Sequence, residues 1–373
     1  MSKFPEDLTL AYEFKLTPEG STGARYYKFY DKTTGEDRTF VFKQGNFEDH
    51  IVNECYADRF YDASGIPVPE FRLYETDRGP AKLAEFHEGM LIREAWAVLP
   101  TGLREVAREQ LWFGFPCDVL LGNWDVCGSG YGANVLFEDT VLPLRIDNGG
   151  AMRYRAQGAL KNVLSPFNWL ECDLIFDDLW TMTGEGKAIG YRGDDLTQYF
   201  GFSSPYSLAT EIVSKSWDAA IAQLPDADRR IVRARIRAAE KIAEQGADCV
   251  KRLGLEDGRA ELNERYRAQR ERVFEKLRGV DEKRNSIIKE LNAIQADQVG
   301  ARLAKDRMID KIAKYADIDF RFAKARGRYS PRNDAERRDV ADLERAEQRQ
   351  FCYSQRRREL ERELDELTLN ALE

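Results

Sequence analysis

The chain has 373 residues, 43% of them hydrophobic, with a formal net charge of −8 and a pI near 5.3. That allows two or three domains around a sizeable core and argues against a general nucleic-acid coat. Charge is unevenly divided, about +4 over residues 258–373 and about −12 over residues 1–257, so an anionic substrate of the first part would need a metal and local Lys or Arg.

Six cysteines lack CxxC spacing and only two histidines, His50 and His87, are present, which argues against a zinc site. The opening MSKFPEDLTL has neither the basic n-region nor the apolar h-region of a signal peptide, and no apolar run nears the roughly 18 residues of a membrane span. A reducing cytoplasm is the expected compartment.

Ala11–Leu16 and Tyr26–Tyr30 read as strands rich in aromatic residues. Between them Gly20 and Gly23 flank Ser21 and Thr22, an arrangement that can bring backbone N–H groups against phosphate oxygens or make a plain glycine-rich hairpin turn. After the turn Asp31–Glu36, the alternation of Arg38–Lys43 predicts a strand that ends on Lys43. Phe47–Ala63 carries apolar residues near helical spacing (Ile51, Val52, Cys55, Phe60), with Glu54 in mid-helix and Gly65 as its stop. A lysine in that place can aim its amine at nucleotide phosphates if a carboxylate of the next helix orients it; the bland alternative is two ordinary exposed charges. Strands are expected at Glu70–Glu75 and Ala81–Phe86, followed by Glu85-Phe86-His87-Glu88-Gly89 and an amphipathic helix at Leu103–Leu120.

The stretch Leu120–Gln157 holds the chemistry. Asp125 and Asn134 lie on one loop and Asp147-Asn148-Gly149-Gly150 on the next, with short apolar runs at Asn134–Phe137 and Val141–Ile146. Hard oxygen ligands at the ends of adjacent strands suit Mg²⁺, which takes a carboxylate or two together with substrate phosphates. In a phosphoryl-transfer centre Asp125 would orient the proton of the attacking hydroxyl, while Asn134 and Asp147 would hold the metal. Ordinary Asx- and Gly-rich hairpin turns are the alternative. Arg153 and Arg155, on alternate positions, can face a phosphate or pair with Asp173, Asp177 and Asp178.

GNWD…N followed by RIDNGG resembles the catalytic and metal-binding loops of the atypical protein-kinase-like superfamily: HipA-type serine/threonine kinases, phosphatidylinositol 3/4-kinases and the actin-fragmin kinase group. The resemblance covers roughly residues 8–250 and implies an α+β, two-lobed protein-kinase-like fold using ATP and Mg²⁺. On it, Gly20, Ser21, Thr22 and Gly23 form the phosphate loop, and Lys43 pairs with the helix-C glutamate Glu54. Glu85, Phe86 and His87 form the hinge that reads adenine through backbone groups. Asp125 and Lys43 are then catalytic, and Asn134 and Asp147 bind metal. One departure stands out, since eight residues separate Asp125 from Asn134 where protein kinases usually have four, which leaves the acceptor class open. The implied activity is a kinase acting on Ser or Thr of a protein, itself included. The alternatives are a pseudokinase scaffold, or an enzyme of this fold that acts on a lipid or small molecule or transfers a nucleotidyl group.

Residues 205–254 predict two or three bundle helices that complete a helical lobe. From Glu256 onward Leu262, Tyr266, Val273, Leu277, Val280, Ile287, Leu291 and Ile294 recur at steps of three, four or seven amid dense charge, which predicts a long helix. Gly300 interrupts it, Leu303–Tyr315 resumes, Gly327–Pro331 breaks it again, and Asp334–Leu372 forms a last helix. The expected organisation is a kinase N-lobe at 1–89, a mainly helical C-lobe at 90–255, and an all-α antiparallel coiled-coil hairpin at 256–373 for partner binding or self-association. Its turn carries Arg321, Lys324, Arg326, Arg328 and Arg332 among Phe320, Phe322 and Tyr329, which reads as a solvated helix end, a contact for an acidic protein surface, or, last in order, a nucleic-acid contact.

Overall fold

The computed structural model describes residues 3–16, 24–31, 34–44, 48–76, 79–123, 126, 134–138, 142–152, 154, 199, 205–262, 264–265, 268, 283, 286–294, 297–298, 300–301, 305, 307, 309 and 334–372. The chain divides into two compact units, the first made of Met1–Thr76 and Pro80–Gly279 and the second mainly of Val280–Ala371.

In the first unit β1 (Tyr12–Leu16), β2 (Arg25–Asp31), β3 (Glu36–Lys43), β4 (Phe71–Thr76) and β5 (Gly79–Glu85) form one sheet in the order β1-β2-β3-β5-β4. Successive side chains of a strand point to opposite faces, and β3 uses both. Phe40 and Phe42 join Ala81, Leu83, Tyr74 and Phe4 in one apolar cluster. Lys43 falls on the other face of β3, directly opposite Lys82 in the antiparallel β3–β5 register.

Helix α1 (Glu48–Ala63) runs between β3 and β4 and buries Ile51, Ala57, Phe60 and Tyr61. Gly65, at φ +77°, takes the left-handed conformation that lets Ile66 N–H return to the Tyr61 carbonyl at 2.9 Å, closing the helix and turning the chain toward β4.

A second sheet, β6 (Met90–Leu91), β7 (Val135–Phe137) and β8 (Pro143–Arg145), is antiparallel, in the order β6-β7-β8. Helices α2 (Ile92–Val98) and α3 (Thr101–Leu121) lie between β6 and β7, and α4 (Pro205–Ser214), α5 (Asp218–Ile221) and α6 (Asp226–Leu253) come after β8. One core joins them to α1 through Phe60, Leu111, Phe115, Ile212, Trp217 and Val232, and extends to Leu262. Buried Arg235 of α6 donates to the carbonyls of Val119 and Leu120 at 3.1 and 2.7 Å. It thereby satisfies the open end of α3 immediately before the loop that leads to residue 125.

Antiparallel strands with one helix, then mainly helices, make the mixed α+β fold that the sequence predicts. Differences lie at the ends of elements, where β7 and β8 are shorter than the runs that signalled them and α3 begins two residues before Leu103, and in β6 and α2, which the sequence did not signal.

In the second unit α7 (Asp334–Leu372) lies antiparallel to helical residues 286–294. The order of contacts shows it: Lys283 meets Glu363 at 2.9 Å, Glu290 meets Arg356 at 2.9 Å, and Gln298 meets Ser354 at 3.1 Å. Ile287, Ile288, Leu291, Ile294, Leu343 and Leu360 are buried in this unit. The expected turn, with Arg321–Arg332, lies outside the described residues. Among the described residues, no helix is long and apolar enough to cross a membrane.

Candidate functional site

The last residue of β3 and the middle of α1 come together beside the segment that follows β8. Lys43 Nζ donates to Glu54 Oε1 at 2.9 Å and to Asp147 Oδ1 at 2.7 Å. Glu54 is buried, whereas the Asp147 side chain keeps 39% of its exposure, so the lysine spans from the interior to an open face. Burial pulls the Lys43 pKa down, but the charges of Asp147 and Glu54 outweigh it and leave the amine above its ordinary value, hence an ammonium. Burial alone would raise Glu54. The ammonium groups of Lys43 and Lys82 reverse that and hold the carboxylate well below its usual range.

Asp147 has φ 51°, a left-handed conformation that Asp tolerates better than most residues and that commonly marks functional sites. Its carbonyl accepts from Asn134 Nδ2 at 3.4 Å. Asn134 is fixed in turn by two backbone bonds, its N–H to Val126 and its carbonyl from Ile146, at 3.1 and 3.0 Å. The Asn134 amide is thus tied to the backbone of Asp147, and an amide oxygen and a carboxylate are both hard donors.

The rest of the segment is pressed onto α1. A Cβ at Gly149 would lie 2.9 Å from His50 Nε2 and 3.3 Å from Glu54 Oε2, so only glycine allows this approach. Asn53 Nδ2 holds the Ala151 carbonyl at 3.1 Å. Burial lowers the His50 pKa, which favours a neutral imidazole.

Several groups to which the sequence reading gave no role complete the site. Lys82 donates to Glu54 Oε1 at 2.7 Å and is paired with Asp58 one turn along α1. Asp58 accepts from Asn148 Nδ2 at 2.8 Å, and Asn148 Oδ1 accepts from Asn123 at 3.0 Å. Asn123 also reaches the Tyr61 hydroxyl, which donates to Asp118 at 2.8 Å; Arg145 grips Asp118 with two bonds at 2.8 and 3.1 Å. Burial, joined by the charge of Glu54, holds the Asp58 carboxyl above its ordinary value despite Lys82, and burial does the same to Asp118. The available signal was a charge inside an apolar run: Lys82 in PAKLA and Asp118 in FPCDVLL.

Glu85, Phe86 and His87, the residues expected to form a hinge, lie at the end of β5 and just beyond it. Glu85 N–H is bonded to Glu70 and Phe86 N–H to Thr39, at 2.9 and 3.1 Å, so a backbone N–H donor for a base edge would have to come from His87 onward. The His87 ring meets Glu138 at 2.7 Å, Phe86 stacks edge-on against Tyr26, and the Glu85 carboxylate holds Lys3. Asp125 and the glycine loop Gly20, Ser21, Thr22 and Gly23 lie outside the described residues.

No family model matches the chain, and no curated protein matches it. Among solved structures the chain is similar to the Helicobacter pylori proinflammatory kinase CtkA, at 13% identity over 62% of this chain and 91% of that one, with a TM-score of 0.33. A likeness of that size carries no argument by itself, and the functional assignment rests on side-chain geometry.

Proposed function

We propose that the first unit is an ATP- and Mg²⁺-dependent phosphotransferase whose acceptor is a Ser or Thr hydroxyl of a protein. The observation that supports it is one ammonium, Lys43, held at once by a helix carboxylate, Glu54, and by the loop carboxylate Asp147. That is the arrangement a phosphoryl-transfer site needs to aim a positive charge at nucleotide phosphates.

The donor set fits Mg²⁺. Among the described residues, Lys43 and Lys82 supply two positive charges against three carboxylates, Glu54, Asp58 and Asp147, one more negative charge than positive. Asp147 and Asn134 would hold the ion, with the remaining positions going to water and phosphate. Bound there, Mg²⁺ supplies neutralisation of phosphate charge. Lys43 would turn its amine toward the phosphates, Gly20–Gly23 would cover them with backbone N–H groups, and Asp125 would take the proton of the acceptor hydroxyl. The helical second unit serves to recruit a protein partner or to self-associate, with Arg321–Arg332 as the contact patch for an acidic surface.

Incubation with γ-labelled and α-labelled ATP, with and without Mg²⁺, tests the assignment. Label on protein from the γ position only, dependent on Mg²⁺, is expected; label from the α position would mean nucleotidyl transfer instead.

A further inference from the structure

Lys43 and Lys82 face each other across β3 and β5, an arrangement of like charges that is unfavourable unless something lies between them. What lies between them is α1. Both amines donate to the same oxygen, Glu54 Oε1, at 2.9 and 2.7 Å, and Lys82 also pairs with Asp58, one helical turn on. The two lysines differ in what else they reach. Lys43 extends to the exposed Asp147, whereas Lys82 is closed in by Glu54, Asp58 and the Phe71 ring, whose centroid is 5.2 Å from its amine.

We infer that Lys82 is a positioning residue that fixes Glu54 independently of Lys43. This rests on the phosphotransferase reading. When Lys43 swings toward phosphates its hold on Glu54 loosens, and a glutamate held by that lysine alone would be free to change rotamer. Lys82 stays, ties Glu54 to β5, and keeps the carboxylate where Lys43 needs it during transfer. Through Asp58 and Asn148 the same lysine also fixes α1 against the residue that follows Asp147.

The double variant Lys82→Met, Asp58→Asn isolates this role. It removes one positive and one negative charge, so the net charge of the cluster is unchanged, and the new amide oxygen at 58 can still accept from Asn148. Mg²⁺-ATP turnover, read as ADP release, is measured beside wild type and Lys43→Met. The expected result is a melting temperature within about 10 °C of wild type, a KM for ATP within about threefold, and a kcat lower by about tenfold or more.

A kcat within about twofold of wild type, while Lys43→Met abolishes turnover, overturns the inference and leaves the phosphotransferase reading standing. A larger loss of melting temperature assigns Lys82 to the fold alone, and a KM rise that matches the kcat loss means a collapsed pocket; each also overturns it. If wild type gives no ADP, or Lys43→Met matches wild type, the phosphotransferase reading fails and takes the inference with it.

Discussion

Around Glu54, two ammonium groups and two carboxylates share a space closed to water, whereas along α7 Arg356 meets Glu290 and Glu359 with every partner about half exposed. Both are Lys/Arg–Glu/Asp pairs, and a sequence does not tell them apart. Stripped of water, each buried charge needs its partners at fixed distance, so the cluster determines where α1 and Asp147–Asn148 sit. Charges that keep their water gain little from pairing and lose side-chain freedom by it. The buried pairs around Glu54 are therefore positional devices, whereas the half-exposed pairs of Arg356 are surface decoration on an apolar seam.

Removing one buried charge should separate the two regions most clearly. Lys82→Met alone leaves Glu54 and Asp58 close together with one cation fewer, and it should cost about 3–5 kcal/mol in urea unfolding. A cost below about 1 kcal/mol would place the cluster with the surface pairs. Gly149→Ala comes next. Its methyl would press on His50 and Glu54, at a cost of about 1–3 kcal/mol and with loss of turnover. Gly300→Ala, with nothing within 4 Å on a helix, should be neutral or stabilising by up to about 1 kcal/mol.

Acidification gives a smaller, graded effect. The folded chain holds the pKa of His50 below its ordinary value, so as pH falls through about 6.5 the unfolded chain takes up a proton that the folded chain does not. His50 therefore contributes a loss of stability on acidification, and His50→Gln should flatten the slope between pH 7 and 5 (about neutral to mildly acidic) in denaturant titrations. An unchanged slope would mean that His50 takes up its proton at the same pH folded and unfolded, with no shift on folding. Least of all, Lys283→Met or Glu290→Ala should change unfolding by no more than about 1 kcal/mol, and less as salt is raised.

What was legible in the sequence follows from the same contrast. Lys43 ends an alternating strand, Glu54 sits in a helix with a clear glycine stop, and Asp147 falls in an Asx-Gly run, so each stood at a place where pattern marks an element. The order of strands and helices was legible for the same reason. The roles of Lys82, Asp58, Asn148, Asp118 and Arg145 were not, because a buried polar group is defined by partners far away in the chain: Lys82 by Glu54 across 28 residues, Asn148 by Asp58 across 90. The register that sets Lys82 opposite Lys43 was also hidden, since the β3–β5 pairing is not between consecutive strands.

Asp147→Asn tests the central claim most directly. The substitution keeps the side chain's size and an oxygen for Lys43 but removes the negative charge beside Asn134, so nucleotide turnover and nucleotide binding should part company. Measured side by side with γ-labelled ATP across a Mg²⁺ titration, the variant should fold and bind nucleotide yet lose turnover by about a hundredfold or more. Turnover equal to wild type at every Mg²⁺ concentration would contradict the assignment of Asp147 as a metal ligand and, with it, the phosphotransferase site.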